Sequence, residues 1–226
     1  MPEKHNKTAL LHHLKSFITP ERWDKFEKVL ACRTRHITVV LEDIYQSQNA
    51  SAVLRSCDLT GILDVHIIEN RNMYEINPDV VLGADKWLNL KRYNQKEDNT
   101  SEAIKTLQNQ GYKVVATSPH KKGFTPDTLP LDQPLALLFG TEKRGLSPTA
   151  LEQADAFVQI PMHGFSESFN ISVSAAILLY MLSQRLHASD IAWQLKREEQ
   201  IDTLLHWCRN TLKRAYIIEK EFNRSV

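Results

Sequence analysis

The stretch Val158–Tyr180, VQIPMHGFSESFNISVSAAILLY, decides how this chain is read. Phe157 to Ile160 form a short apolar strand, and Pro161 closes it. A polar loop follows, carrying Gly164, Ser166, Glu167 and Ser168. Asn170 then opens an apolar, small-residue helix over Ile171 to Leu182, with its side chain as N-cap. A strand, a tight polar loop and a buried helix together present backbone N–H groups and short side chains to a small ligand. The same sequence also suits a plain strand-to-helix connection. A second loop of this kind at Gly140–Gly145, and a polar cluster around Asn49 and Arg55, favour the ligand reading.

Outward from this stretch, strands and helices alternate. ITVVL (Ile37–Leu41), VHII (Val65–Ile68), KVVAT (Lys113–Thr117) and LALLF (Leu135–Phe139) are apolar runs of buried-strand type. Trp87–Tyr93 alternates and reads as an edge strand. Asn49–Leu59 reads as a helix capped by Asn49. Thr100 or Ser101 caps another helix, which Gly111 ends. Ser147-Pro148 starts a third. Residues 69–79 show no period and read as loop. This alternation predicts an α/β fold, a mostly parallel sheet with helices on both faces. In such sheets ligands bind at the carboxyl ends of the strands, where the segments after Thr117, Phe139 and Ile160 lie.

The ends of the chain read as helical. Leu10, Leu11, Leu14 and Phe17 recur at helical spacing. Thr19-Pro20 then starts a second helix with the stripe Trp23, Phe26, Val29 and Leu30. Ile191–Phe222 reads as one charged helix bearing Trp193, Leu204, Leu205 and Trp207. The boundaries predicted are a helical RNA-binding extension over 1–36, a catalytic domain over 37–187 and a C-terminal helical extension over 188–226.

Composition sets bounds on function. The 226 residues are 42% hydrophobic, as in an ordinary globular protein. Cys32, Cys57 and Cys208 are scattered and form no CxxC pair, so a reducing compartment and no metal site are expected. No run approaches a membrane span, and MPEKHNKTALL lacks the apolar core of a signal peptide, so the protein is expected to be cytoplasmic. Net charge is +1, unevenly spread. Residues 1–36 hold eight Lys/Arg against four Asp/Glu, and 185–226 hold eight against six. Twelve of the 28 basic and seventeen of the 27 acidic residues remain for 37–184. Basic ends on an acidic centre suit a polyanion gripped by the extensions, although solvated helix faces have the same composition.

Several chemistries are excluded. FGTEKRGLS (Phe139–Ser147) nearly matches the phosphate-binding G-x-x-x-x-G-K-S/T pattern, but Leu146 stands where the lysine must be. No G-x-G dinucleotide fingerprint and no G-x-S-x-G nucleophile elbow occurs. What remains is a glycine-bounded turn carrying Glu142. In QNASAVLRS (Gln48–Ser56), Asn49 and Arg55 stand six residues apart, which is not a same-face spacing, so they converge only if Asn49 lies off the helix as a cap. Arg55 beside Val53 and Leu54 suits a phosphate contact, or a surface ion pair with Asp58.

Taken together, NASAVLR, FGTEKRG and IPMHGFSESFNISVSAA resemble the three motifs of SpoU/TrmH-type RNA 2′-O-ribose methyltransferases of the SPOUT class. The resemblance covers about Ile37 to Arg185, with the motifs in order. It implies a C-terminal deep trefoil knot, a homodimer, and S-adenosyl-L-methionine bound in the knot. Donor contacts would then fall on Thr117, Gly140, Ile160, Met162, Ser168 and Phe169. The family's catalytic positions match Asn49, Arg55, Glu142, Ser168 and Asn170. Arg55 has been assigned as activating base in the family. A guanidinium stays protonated, so contact with the ribose hydroxyl or its phosphate, stabilising the developing oxyanion, fits it better. Asn49, Ser168 and Asn170 would orient the ribose.

Two features depart from the tRNA-specific members: Gln48 replaces a histidine common there, and the N-terminal basic helix is weaker, with Arg22, Lys25, Lys28, Arg33 and Arg35 as candidate RNA contacts. The resemblance implies methyl transfer to guanosine-18 in the tRNA D-loop. A ribosomal-RNA ribose methyltransferase and a non-catalytic RNA-binding paralogue are the alternatives.

Overall fold

A computed structural model describes residues 2–141 and 144–225. In chain order it contains α1 (Pro2–Lys15), α2 (Pro20–Leu30), β1 (Ile37–Glu42), α3 (Ser47–Leu59) and β2 (Asp64–Ile68). A short α4 (Pro78–Val81) and a 3-10 turn (Ala84–Trp87) lead to β3 (Asn89–Tyr93), α5 (Asn99–Asn109) and β4 (Lys113–Thr117). Then come β5 (Leu135–Phe139), α6 (Pro148–Gln153), β6 (Ala156–Val158), α7 (Ile171–His187), α8 (Arg197–Thr211) and α9 (Ala215–Ser225). Two compact units divide the chain, residues 34–193 and residues 1–33 with 194–226.

The larger unit holds one sheet of six strands, ordered β3-β2-β1-β5-β4-β6 and parallel at every pairing. Both faces are covered, which is why its central strands are mostly apolar, with every residue of β1 and β5 buried. Ile37, Val39, Leu41, Leu135, Leu137 and Phe139 face one core, shared with α3 and α7. Val40, Val114, Ala116, Ala136 and Leu138 face the other, with Ala103, Ile104 and Leu107 of α5 and Ala150 of α6. Each fully buried leucine contributes about 1.5–3 kcal/mol relative to exposure. The order reverses between β1 and β5, so the loops that follow them open a crevice at the carboxyl edge.

The caps follow side-chain chemistry, with corrections. Thr19 and Ser147 accept the N–H of Arg22 and Ala150, as the sequence predicts. The cap of α5 is Asp98, whose carboxylate accepts the N–H groups of Thr100 and Ser101. Thr100 and Ser101, read as caps, are thus the donors to it. Helix α3 begins at Ser47, and Asn49 is not its cap: Gln46 occupies that position and makes no side-chain cap bond. The strand read over Phe157–Ile160 is the shorter β6. The C-terminal segment is two helices, α8 and α9, and Trp193 precedes both, its ring 4.4 Å from that of His187.

The smaller unit is helical. Phe26 of α2 meets Trp207 of α8 at 5.5 Å between ring centroids, and Lys15 lies over the Trp23 ring. Arg33 is 1% exposed, with its guanidinium 5.6 Å from the centre of the Trp207 ring. Among the described residues, no helix is long and apolar enough to cross a membrane.

Candidate active site

Thr117, Gly140, Ile160, Met162, Ser168 and Phe169 line one cavity of about 340 Å³ at the carboxyl edge of the sheet. They come from loops that follow β4, β5 and β6, as a parallel sheet dictates. The volume lies in the range of small-molecule sites. Its walls mix apolar side chains such as Leu178 with backbone and small polar groups.

Local chemistry builds this cavity. Thr117 donates its hydroxyl to the Leu138 carbonyl at 2.9 Å, tying the ends of β4 and β5. The loop after β5 closes on itself: Thr141 and Gly145 exchange N–H···O bonds of 3.0 and 2.9 Å. Gly145 has φ +65°, and a Cβ on Gly140 would run into the backbone of Gly145 and Leu146. Both positions therefore require glycine. Glu42, buried at the end of β1, accepts the Ser147 N–H at 2.8 Å, the Ser147 hydroxyl at 2.6 Å and the Thr100 hydroxyl at 2.6 Å. One carboxylate thus fixes where this loop ends and α6 begins. Sequence reading passed over Glu42; the available signal was a lone carboxylate ending an apolar strand.

Asn170 caps α7, accepting the Ser172 N–H at 2.8 Å, and its amide donates to the Asn49 Oδ1 at 3.2 Å. Asn49 in turn donates to the Gln46 Oε1 at 2.8 Å. The first and third sequence motifs therefore meet directly, across 121 residues. Asn49 does this from inside the first turn of α3, buried, and not from a cap position.

Arg55 does not join them. Six residues along the same helix from Asn49, it points elsewhere, is exposed, and makes no hydrogen bond or ion pair among the described residues. Its charge is hydrated, so the burial penalty invoked to single it out does not arise. Ser168 is exposed and Phe169 is 45% exposed at the rim of the cavity. Glu142 lies outside the described residues. Ser118, His120, Lys121 and Arg144, none foreseen, also line the cavity and give its rim a cationic side. The clustering of His120, Lys121 and Lys122 after a strand end was the available signal.

The proposed RNA contacts divide. Lys25 and Lys28 are exposed on α2, and Arg22 is half-buried over Phe26. Arg35 pairs with Asp64 at 3.0 Å. The burial of Arg33 withdraws it from phosphate.

Comparison with known proteins follows this geometry. Residues 36–180 match the SpoU rRNA Methylase family. The tRNA (guanosine(18)-2′-O)-methyltransferase of Borreliella burgdorferi is 44% identical over 210 residues, covering 93% of this chain and 94% of its own. The crystal structure of the A. aeolicus TrmH/SpoU tRNA modifying enzyme superposes with a TM-score of 0.75 at 28% identity, covering 85% of this chain and 98% of that one. The SpoU methyltransferase AviRb from Streptomyces viridochromogenes, in complex with the cofactor AdoMet, shares the fold at a TM-score of 0.59 and 22% identity, over 72% of this chain and 62% of that one.

Proposed function

Since the chain belongs to the SpoU rRNA methylase family, we propose that it methylates the ribose 2′-hydroxyl of guanosine-18 in tRNA, with S-adenosyl-L-methionine as donor. The observation that carries this reading is the convergence of three separated motifs. Loops of the second and third line one cavity, and Asn170 beside that cavity bonds Asn49 of the first.

The residues present suit the donor. The glycine loop brings backbone close, Phe169 and Met162 offer apolar surface, and small hydroxyls stand at the rim. When bound, the donor supplies an electrophilic sulfonium methyl. The task of the chain is then alignment and charge stabilisation. In this reading Asn49, Ser168 and Asn170 orient the ribose. Arg55, always charged, would stabilise the oxygen as it bonds the methyl, the proton passing to water and the methyl–sulfur bond breaking to leave a neutral thioether, and Glu142 keeps its place in the second motif.

The homodimer is part of the proposal. Phe165, Phe169, Val173 and Tyr180 are exposed apolar side chains at and before α7, a row that a second copy would cover. Arg55 stands outside the cavity of its own chain, as a residue offered to a second subunit would. The trefoil knot is likewise proposed. Its support is the position of β6, paired with β4 on one side and bridged through Val158 to Phe124 on the other. Phe124 belongs to the connection that leaves β4, so that connection flanks β6 on the side away from β4. Residues 1–36 and 188–226 are proposed as RNA-gripping extensions, with Lys25 and Lys28 exposed on α2 and Arg22 beside them. The protein is also proposed to act in the cytoplasm, with neither a membrane nor a metal invoked.

The test has two arms. Calorimetry of the purified protein with S-adenosyl-L-methionine, without RNA or added metal, is expected to show one site and a raised Tm. Mapping of ribose methylation on tRNA from cells with and without the gene is expected to lose the mark at guanosine-18. A mark lost from ribosomal RNA instead would move the substrate and leave the chemistry.

A further inference from the structure

A second cleft, of about 560 Å³, opens beside the start of α3 and lies apart from the residues of the donor cavity. Its walls are the turn after β1, with Tyr45, Gln46 and Gln48, and the segment after β2, with Arg71, Met73 and Glu75. No sequence motif pointed to it, because residues 69–79 have no period.

The floor is firmly built. Asp43 sits at φ +56°, and one oxygen of its carboxylate accepts the N–H groups of Asn70, Arg71 and Asn72 at 2.8, 2.8 and 3.1 Å. The Asn72 amide donates back to the Asp43 carbonyl at 2.7 Å. The two walls are therefore pinned to each other. The ring of Tyr45 is 76% exposed at the mouth, an aromatic held out to solvent rather than packed. Gln46 and Gln48 offer amide donors and acceptors, and Arg71 offers an exposed cation. Helix α3 opens here without a side-chain cap.

Position gives these features a meaning. Gln46 is a wall of the cleft and bonds Asn49 at 2.8 Å; Asn49 bonds Asn170 at 3.2 Å; Phe169, next in the chain, lines the donor cavity. The two cavities are thus linked through one asparagine pair. In the methyltransferase reading Asn49 and Asn170 orient the ribose, and the cleft is the cavity on the Gln46 side of that pair.

We propose that this cleft receives an unstacked nucleobase of the RNA substrate, with Tyr45 as the stacking platform and Arg71 on the flanking phosphate. The proposal rests on the methyltransferase reading above. Single-stranded bases splayed out of RNA loops are recognised in this way, by an aromatic face and edge hydrogen bonds. The amides of Gln46 and Gln48 supply the edge contacts, and a cation supplies phosphate affinity without sequence information.

The experiment compares the full-length wild type with Tyr45→Ala, Tyr45→Phe and Arg71→Gln. It measures KM and kcat on whole tRNA at saturating donor, tRNA affinity at several salt concentrations, donor affinity by calorimetry, Tm, and sedimentation. Tyr45→Ala is expected to raise the KM for tRNA by about 10- to 100-fold, the loss of one base stack. Tyr45→Phe, which keeps the ring, is expected to recover most of that loss. Arg71→Gln is expected to lower the slope of log affinity against log salt by about one phosphate contact. Donor affinity and Tm should stay with the wild type in all three. A Tyr45→Ala protein with wild-type KM, or a Tyr45→Phe protein as impaired as Tyr45→Ala, overturns the proposal. So does a change of sedimentation in Tyr45→Ala, which would give the cleft to a second copy of the chain. A wild type that methylates no RNA would overturn the enzymatic reading itself; active wild type with indifferent Tyr45 variants would overturn the cleft assignment alone.

Discussion

The two clefts at the carboxyl edge are finished in opposite ways. The one after β1 and β2 is held by side chains. Asp43 binds three backbone N–H groups, and nearby Glu69 accepts from both Arg92 nitrogens at 2.8 and 2.6 Å, from Asn94 and from the Tyr74 N–H. The one after β4, β5 and β6 is closed mainly by backbone, with two glycines in the tightest turn and Ser168 and Phe169 exposed at its rim. Groups already satisfied by the chain form a template of fixed shape. Unsatisfied loop N–H groups are available to a ligand. One sheet edge thus supplies a fixed surface and a receptive one, side by side.

Mutations can break this contrast, and the largest effect is expected from the residue that belongs to neither cleft. Arg55→Ala should lower the single-turnover rate by about 100- to 1,000-fold, the usual loss for one charge-stabilising donor, and leave donor affinity within about twofold. Single-turnover kinetics beside calorimetry reads both; collapsed affinity with a preserved rate would reverse the assignment. Gly140→Ala comes next. The added Cβ must displace the Gly145 backbone, so donor affinity should fall by about 100-fold, near 3 kcal/mol, with tRNA affinity retained.

On the side-chain-held cleft the cost should appear as stability. Glu69→Ala removes the hydrogen bonds from Arg92, Asn94 and the Tyr74 N–H and should cost about 1–2 kcal/mol in urea unfolding, with donor affinity kept. Acid sharpens this. The hydrogen bonds from Arg92 hold the Glu69 carboxyl below its ordinary range. Its stabilising contribution is therefore present at neutral pH and lost as pH falls through that lowered value. Burial, with the charge of Lys91, pushes His66 from 6.5 to about 4. Below 6.5 the unfolded chain takes up that proton before the folded one does, so stability falls between pH 6.5 and about 4. Thermal melts of His66→Gln across that window should show a shallower decline than the wild type.

The smallest effect serves as a control on both clefts. Neutralising Arg22, Lys25 and Lys28 together should weaken tRNA binding by about tenfold at low salt and flatten its salt dependence. Donor affinity should not move. Unchanged tRNA binding would remove α2 from the RNA-binding surface.

The strands were legible because a parallel sheet covered on both faces writes each central strand as an apolar run. The cavity after β4, β5 and β6 was legible because short, unusual loops follow three of those strands, and the family resemblance picked out residues that line it. Other features depend on side-chain partners far away in sequence. Gln48-Asn49 looks like a helix start, and only the fold reveals that α3 begins two residues earlier and aims Asn49 at Asn170. Arg33 reads as a surface cation until Trp207 lies beneath it. The break between α8 and α9 carries no glycine or proline to announce it. The Tyr45 cleft draws its walls from two aperiodic segments joined by Asp43, a contact that spacing does not encode.

The register of β1 has a consequence for the time course of synthesis. Its inner edge pairs Ile37 with Leu135 and Leu41 with Phe139, while its outer edge pairs with β2. A ribosome adding about 5–20 residues per second delivers β5 several seconds after β1 and β2 have emerged. For that interval the nascent chain offers an apolar strand with one open edge, the template on which aggregation starts. Occupancy by a holding chaperone is expected to be greatest on chains stalled before residue 135 and to fall once residue 139 has cleared the exit tunnel.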